Sequence, residues 1–152
     1  MLRGLIGHHT APQRAIKPLL RVIQHSIYCV PPFIQAAAIA ALQLPQSVVD
    51  SYVSQFRRRR DRAAATLDGL NGIRCAAPPA TFYLFPSVGA DDRAVAEEWL
   101  DKLTIAAVPG SAFGAAGAGY LRLSLACSDG DLNAALDKLQ KHYGAKREAR
   151  VG

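Results

Sequence analysis

The stretch from Leu103 to Cys127 constrains the fold of this chain more than any other part of its sequence. An apolar run ends at Pro109-Gly110, a glycine-rich loop follows, and leucines then alternate with polar residues from Tyr120 to Leu125. Alternation with a period of two is typical of a half-buried strand, and a Pro-Gly pair indicates a tight turn. The pattern therefore predicts a strand, a turn, a glycine-rich loop and a second strand.

Arg122 is the one charged residue of this stretch, and it lies on the polar side of the second predicted strand. A guanidinium held on a rigid strand beside a glycine-rich loop is suited to bidentate binding of a carboxylate or a phosphate. An arginine on the polar face of a strand more often only contacts water, because charged side chains are mostly exposed. The residue pattern alone leaves both interpretations open.

Three segments of the chain resemble motifs of one enzyme family. Val108 to Gly114 and Gly119 to Ser124 are similar to the C-terminal signature of class I/II pyridoxal-phosphate-dependent aminotransferases, the aspartate-aminotransferase-like family of fold type I. Ala80 to Pro86 resembles the strand that precedes this signature in the family. The resemblance implies that Arg122 binds the α-carboxylate of an amino-acid or 2-oxo-acid substrate. It also implies that Gly110 and Phe113 belong to the substrate-binding site.

The resemblance covers nearly all of residues 11–143 and implies the C-terminal portion of such an enzyme. It divides the chain into residues 1–12, a divergent remnant of a large-domain strand; residues 13–45, interdomain helices; residues 46–144, the C-terminal small domain; and residues 145–152, a basic tail. The predicted fold class is α/β of the α+β type, with a small, mostly antiparallel sheet covered by helices.

Apolar periodicity and turn signals predict helices and strands in a defined order. The predicted helices occupy residues 13–27, 33–42 and 47–70, the segment from Asp91-Asp92 to about Lys102, and the segment between Ser128 and Gly144. Two further short strands are predicted at residues 73–77 and 81–85.

Several details of these helices are also predicted. Ser47 followed by Asp50 is a capping-box pattern for the third helix. The helix at residues 33–42 is apolar nearly all round, so we expect it to be buried. Helical spacing places Val95, Trp99, Leu100 and Leu103 on the inner face of the fourth helix.

The chain departs from the family pattern in the residues that would bind the cofactor. The family lysine that bonds to pyridoxal phosphate follows a serine, as Ser-x-x-Lys or Ser-x-Ser-Lys, and none of Lys17, Lys102, Lys138, Lys141 and Lys146 has this setting. Leu5 falls where the family has its phosphate-binding arginine, and Arg3 is two residues out of register. We therefore predict no catalytic residue here. We expect pyridoxal phosphate in a full-length parent but not stably bound by this chain, and no transamination by the isolated chain.

An alternative function is a non-catalytic, truncated or oligomerising interaction domain derived from an aminotransferase. We expect a homo-oligomer, because a domain that normally packs on a larger partner should expose part of its apolar helix, here Phe33 to Leu42, and such a surface predicts self-association. No apolar run reaches the ~18 residues of a membrane span, so no membrane partner is predicted.

Charge and cysteine content favour no other class of protein. The net charge of +6 is consistent with nucleic-acid binding, but the arginine run from Arg57 to Arg60 has no interleaved aromatic residues. It lies inside a helical pattern, which indicates a solvated helix face, so no nucleic-acid partner is predicted. Adjacent His8 and His9 would point to opposite faces of a strand, so no metal site is predicted. Three widely spaced cysteines favour a reducing cytoplasmic location.

Overall fold

The structure is a computed structural model that describes residues 11–27, 29–89 and 91–144. Three predictions concern residues outside this described part. They are the position of the phosphate-binding arginine relative to Leu5 and Arg3, the absence of a metal site at His8 and His9, and the basic tail at residues 145–152. The chain divides into two compact units, Met1–Val49 and Asp50–Gly152.

The described part of the first unit includes the helices α1 at Gln13–Ser26 and α2 at Pro32–Leu42. α2 contains no buried residue, and its residues Phe33 and Leu42 are 71% and 88% exposed. The prediction of a buried helix is therefore wrong for this chain. Apolar composition leads to burial only where a second surface covers the helix.

Helix α3 spans Gln46–Asp68 and carries residues of both units. It begins before Ser47, so the prediction that Ser47 caps this helix is wrong and the serine lies in its first turn. Its buried residues, Ala63, Ala64 and Leu67, lie towards its C-terminal end. Among the described helices no single one is long and apolar enough to cross a membrane, although α2 and α3 together, as a bent pair, meet that criterion of length and composition.

The second unit is built on a three-stranded antiparallel sheet, which confirms the predicted fold class. Its strands are β1 at Tyr83–Leu84, β2 at Val108–Pro109 and β3 at Leu121–Ser124, in the order β1-β3-β2. In the register of the sheet, Tyr83 lies opposite Ser124, and Val108 lies opposite Arg122. Helices α4 at Asp92–Leu103 and α5 at Asp129–Tyr143 follow β1 and β3 along the chain.

The strands are shorter than the sequence predicts. The predicted strand at residues 73–77 contributes only a bridge, in which the amides of Arg74 and Ser87 donate to each other's carbonyl oxygens at 3.0 and 2.9 Å. The apolar run before Val108 joins no ladder. Proline has no N–H to donate, so Pro109 limits the pairing of β2.

The predicted caps of α4 and α5 are confirmed. The side chain of Asp91 accepts hydrogen bonds from the amides of Arg93 and Ala94, and the Ser128 hydroxyl accepts one from the amide of Asp131. These oxygens pair with N–H groups that the first helical turn leaves without a partner. The two caps therefore fix where the helices that border the sheet begin.

The core of the second unit lies on one side of the sheet, where side chains of α3, α4, β3 and α5 pack together. Trp99 is fully buried, and its indole N–H donates to the Tyr143 hydroxyl at 2.7 Å. Leu100, predicted to face inward, is exposed instead. The largest side chains that are fully buried among the described residues are those of Trp99, Leu67, Leu70, Ile73, Leu84, Leu121, Leu125, Leu139 and Pro86.

Arg59 departs from the solvated helix face that the arginine run predicts. Its guanidinium donates to the carboxylate of Asp129 at 2.7 Å and to the carbonyl oxygen of Cys127 at 2.8 Å. The hydrogen bond from Arg59 lowers the pKa of Asp129 below its usual value. This arginine therefore ties α3 to the segment between β3 and α5.

Candidate functional site

The alternation along β3 places Arg122 on the face of the sheet that lies away from the core. Leu121 and Leu125 are buried on the inner side, whereas Arg122 is half-buried on the outer side. Residues directly opposite each other in an antiparallel pair share a face. The register therefore puts Tyr83 and Phe85 of the neighbouring segment on the outer face with Arg122.

The guanidinium of Arg122 is held between two aromatic rings. Its Cζ atom lies 4.7 Å from the ring centroid of Tyr83 and 4.7 Å from that of Phe113. Cation–π contacts fix the position of a guanidinium without using its N–H donors. Within the described part of the chain Arg122 makes no hydrogen bond or ion pair. Its donors are thus available to an anion in a fixed place.

A groove with a volume of about 750 Å³ runs along this outer face. Ligand pockets of small molecules commonly have volumes of about 300–1,000 Å³. Phe85 stacks on Tyr120 with the ring centroids 5.3 Å apart, which gives the groove an aromatic floor. The groove is lined by Asp68, Arg74, Cys75, Ala76, Pro78, Thr81, Tyr83, Phe85, Ser87, Tyr120 and Arg122.

The turn after β2 brings Phe113 to Arg122. A short 3-10 helix at Gly110–Phe113 begins where the amide of Gly110 donates to the carbonyl oxygen of Tyr120 at 2.8 Å. Gly110 also packs directly against Gly117, at a distance that leaves no room for a side chain on either residue. Glycine permits such an approach because it has no Cβ atom.

A buried carboxylate fastens the same turn to α4. The Oδ2 atom of Asp92 accepts a hydrogen bond from the amide of Ser111 at 2.6 Å. This hydrogen bond lowers the pKa of Asp92, and burial of the carboxyl group opposes that effect. The carboxylate is therefore charged at neutral pH. The sequence predicts Asp92 only as part of a helix cap, and no local pattern points to its contact with Ser111.

The described residues that line the groove include no activated cysteine or lysine. Burial raises the pKa of the Cys75 thiol to about 11, with a further contribution from the carboxylate of Asp68, so the thiol stays protonated at neutral pH. No lysine lines the groove among the described residues. Lys102 pairs with Glu98 at 2.9 Å, and Lys138 donates to the hydroxyl of Thr104 at 2.6 Å.

The described residues also contain no cluster of three or more histidine, cysteine, aspartate or glutamate side chains that could hold a metal ion. The charged and aromatic side chains that line the groove are therefore one positioned arginine, a second arginine, the carboxylate of Asp68 and the rings of Tyr83, Phe85 and Tyr120. Such an arrangement can bind and orient a small acidic molecule, but the described residues that line it include no lysine, and the Cys75 thiol among them stays protonated.

The structure brings two of the three predicted substrate-binding residues into direct contact. Arg122 and Phe113 touch through the cation–π contact, and Gly110 lies behind them in the turn, with its amide already bonded to Tyr120. The substrate-binding roles of all three stay predictions. Tyr83, the second ring beside Arg122, was missed as a site residue, although the sequence places it in the upstream strand motif.

Comparison with known proteins agrees with these features. Residues 4–139 match the family model described as aminotransferase class I and II. The chain is 31% identical over 141 residues to an aspartate aminotransferase of Pyrococcus horikoshii, covering 90% of this chain and 36% of that protein. It is 38% identical over 136 residues to an LL-diaminopimelate aminotransferase of Dehalococcoides mccartyi, covering 88% of this chain and 35% of that protein.

A solved structure shows the same likeness in three dimensions. The crystal structure of an aromatic aminotransferase from Pyrococcus horikoshii superimposes with a TM-score of 0.78 at 31% sequence identity. The match covers 87% of this chain and 36% of that one. The chain thus spans about a third of the length of the relatives that it matches.

Proposed function

Because the chain belongs to the family of class I and II aminotransferases, we propose that it forms the carboxylate-binding wall of a transamination site. In this proposal Arg122 binds the carboxylate of an amino acid or a 2-oxo acid through two parallel N–H···O bonds. The contribution of this chain is to position the substrate.

The observation that carries the proposal is the packing of Arg122 between Tyr83 and Phe113 with its donors unused by the described residues. A solvated arginine would sample many rotamers, whereas a guanidinium between two rings is already placed. A ligand therefore binds without first ordering the side chain, which lowers the entropic cost of binding.

Pyridoxal phosphate is the cofactor that the family implies, and when bound it supplies the electron sink for amino-group transfer. The described residues do not fit its covalent attachment, since no lysine lines the groove beside Arg122. We therefore propose that the cofactor is held in a full-length parent by residues outside the described part of the chain, and that the 152-residue chain alone does not catalyse transamination.

The carboxylate site is tested by titrating the chain with phenylpropionate and, separately, with phenylpropionamide while following its NMR resonances. The two ligands share the phenyl ring and differ in the acid group. We expect phenylpropionate to shift the side-chain resonances of Arg122 saturably and the amide to bind at least about fivefold more weakly, since a charge-assisted hydrogen bond is lost. Equal affinity for the two ligands would show that the groove recognises only the ring.

The proposed lack of catalysis has its own test. The chain is incubated with pyridoxal phosphate, reduced with borohydride and digested for peptide mapping. We expect low labelling spread over exposed lysines such as Lys17 and Lys141, because none lies in the groove. Stoichiometric labelling of one lysine would contradict this expectation.

Two further parts of the proposal concern assembly. We propose that residues 46–144 form the small domain of the parent enzyme and that residues 13–45 form its interdomain helices. We also propose that the chain forms a homo-oligomer, an arrangement favoured by the exposure of Phe33 and Leu42 on α2. The alternative of a non-catalytic interaction domain rests on the same exposed helix.

A further inference from the structure

We propose that Asp92 is a positioning residue for the carboxylate site, acting through the turn that carries Phe113. The inference rests on the proposed role of Arg122 and extends it to a residue on a different element. Asp92 does not touch the groove. Its carboxylate instead holds Ser111, which lies two residues before the ring that packs on the Arg122 guanidinium.

The side chains of the two adjacent aspartates at the start of α4 accept hydrogen bonds from different elements. Asp91 is exposed, and its side chain accepts hydrogen bonds from the amides of Arg93 and Ala94, which caps the helix. Asp92 is 5% exposed, and its Oδ2 atom accepts from the amide of Ser111 at 2.6 Å. Because Asp91 already caps the helix, the Asp92 side chain is free to bind outside its own element.

Burying a charged carboxylate costs free energy unless it is hydrogen-bonded, so a buried aspartate on a helix end needs a structural reason. Among the described residues Asp92 is the one charged residue that is buried. Its partner is a backbone amide of the short 3-10 helix at Gly110–Phe113. The contact therefore fixes the backbone at Ser111. A contact to a side chain would have fixed only that side chain.

The turn has few other hydrogen bonds to the rest of the unit. Within the described residues, the amide of Gly110 donates to Tyr120 at 2.8 Å, and the bond from Ser111 to Asp92 is the one side-chain hydrogen bond made by the 3-10 helix. The two bonds fix two successive residues of the turn. Together with the packing of Gly110 on Gly117 and of the Phe113 ring on Phe85, whose centroids lie 6.3 Å apart, they set the direction of the chain towards Phe113, and the ring then forms one wall of the Arg122 clamp.

The inference is tested with Asp92→Ala and Asp92→Asn in the full 152-residue chain, with Asp91→Ala as the matched control. Asp91→Ala removes a neighbouring carboxylate from the same helix end and destabilises α4 through its cap, but leaves the turn attached. All variants are compared at a temperature where circular dichroism shows them folded. If Asp92→Ala does not fold, Asp92→Asn decides the result, because its neutral amide oxygen accepts a weaker hydrogen bond than the charged carboxylate does.

We expect Asp92→Ala to weaken phenylpropionate binding about fivefold, Asp92→Asn to lie between it and the wild type, and Asp91→Ala to bind like the wild type. Equal affinities for Asp91→Ala and Asp92→Ala, whether both reduced or both unchanged, would overturn the inference, since a general loss of helix stability would then explain any effect. If Asp92→Asn is the only Asp92 variant that folds, two observations together would overturn the inference. They are an affinity for phenylpropionate equal to that of the wild type and a Phe113 resonance that does not shift.

A spectroscopic readout separates positioning from binding. The chain has five phenylalanines, so labelling with para-fluorophenylalanine gives five fluorine resonances, and that of Phe113 is assigned from a Phe113→Leu variant. We expect the Phe113 resonance to move in the Asp92 variants and to stay in place in Asp91→Ala. Failure of the wild type to bind phenylpropionate would contradict the proposed function. The Phe113 resonance would still show in that case whether Asp92 positions the turn.

Discussion

Replacing Arg122 by Gln is expected to weaken phenylpropionate binding at least about tenfold, because the ligand loses a bidentate, charge-assisted contact. The fold should change little, since Arg122 makes no hydrogen bond or ion pair with the described residues and loses only its two cation–π contacts. NMR titration measures the affinity, and thermal unfolding verifies that the variant remains folded.

Arg74 provides the matched control for this substitution. It lines the same groove and carries the same charge, but no aromatic ring packs against its guanidinium among the described residues. We expect Arg74→Gln to change the affinity less than about twofold, because Arg74 is exposed and the field of a solvated charge is screened. Equal losses in the two variants would mean that the general positive charge of the groove, and not the placed guanidinium of Arg122, attracts the ligand.

Replacing Gly117 by Ala is expected to lower the free energy of unfolding by about 3 kcal/mol or more, beyond the usual cost of an overpacked site. A Cβ atom built on Gly117 lies 2.7 Å from the carbonyl carbon of Gly110 and still closer to its oxygen. The obstruction is backbone and not a flexible side chain, so the turn itself must move. For a domain of this size the melting temperature should fall by more than about 10 °C.

Gly130, in the first turn of α5, is the control for this variant. A Cβ atom at Gly130 meets only the hydroxyl of Ser128, at 3.7 Å. Gly130→Ala should therefore leave the melting temperature unchanged or raise it slightly, because alanine reduces the conformational freedom of the unfolded chain. If Gly117→Ala lowered the free energy of unfolding by less than about 1 kcal/mol, the segments that carry Gly110 and Gly117 would not pack as closely as described.

The local features of this fold could be predicted from the sequence because each depends on neighbouring residues. The period of two from Tyr120 to Leu125 places the leucines inward and Arg122 outward. Asp91 and Ser128 cap their helices as their positions before apolar periodic segments predict. The resemblance to class I/II aminotransferases rests on motifs of the same local kind, and the matching family model confirms it.

Other predictions failed where burial depends on distant parts of the chain. The apolar composition of α2 does not specify which surface covers it, and none of its residues is buried. Leu100 has the helical spacing of an inner residue, yet it lies outside the core. Arg59 belongs to a run that suggests solvent exposure, yet its guanidinium binds Cys127 and Asp129. In each case the deciding contact, or its absence, involves residues far away in sequence.

The sequence by itself determined that a single arginine stands on the outer face of a leucine-rich strand after a proline-glycine turn. Only the tertiary structure decided that Tyr83 and Phe113 clamp this arginine and that Asp92 holds the turn. Periodicity reports the face of an element on which a residue lies. Which side chains meet there depends on how separate elements pack, and that is set by the three-dimensional contacts of the whole unit.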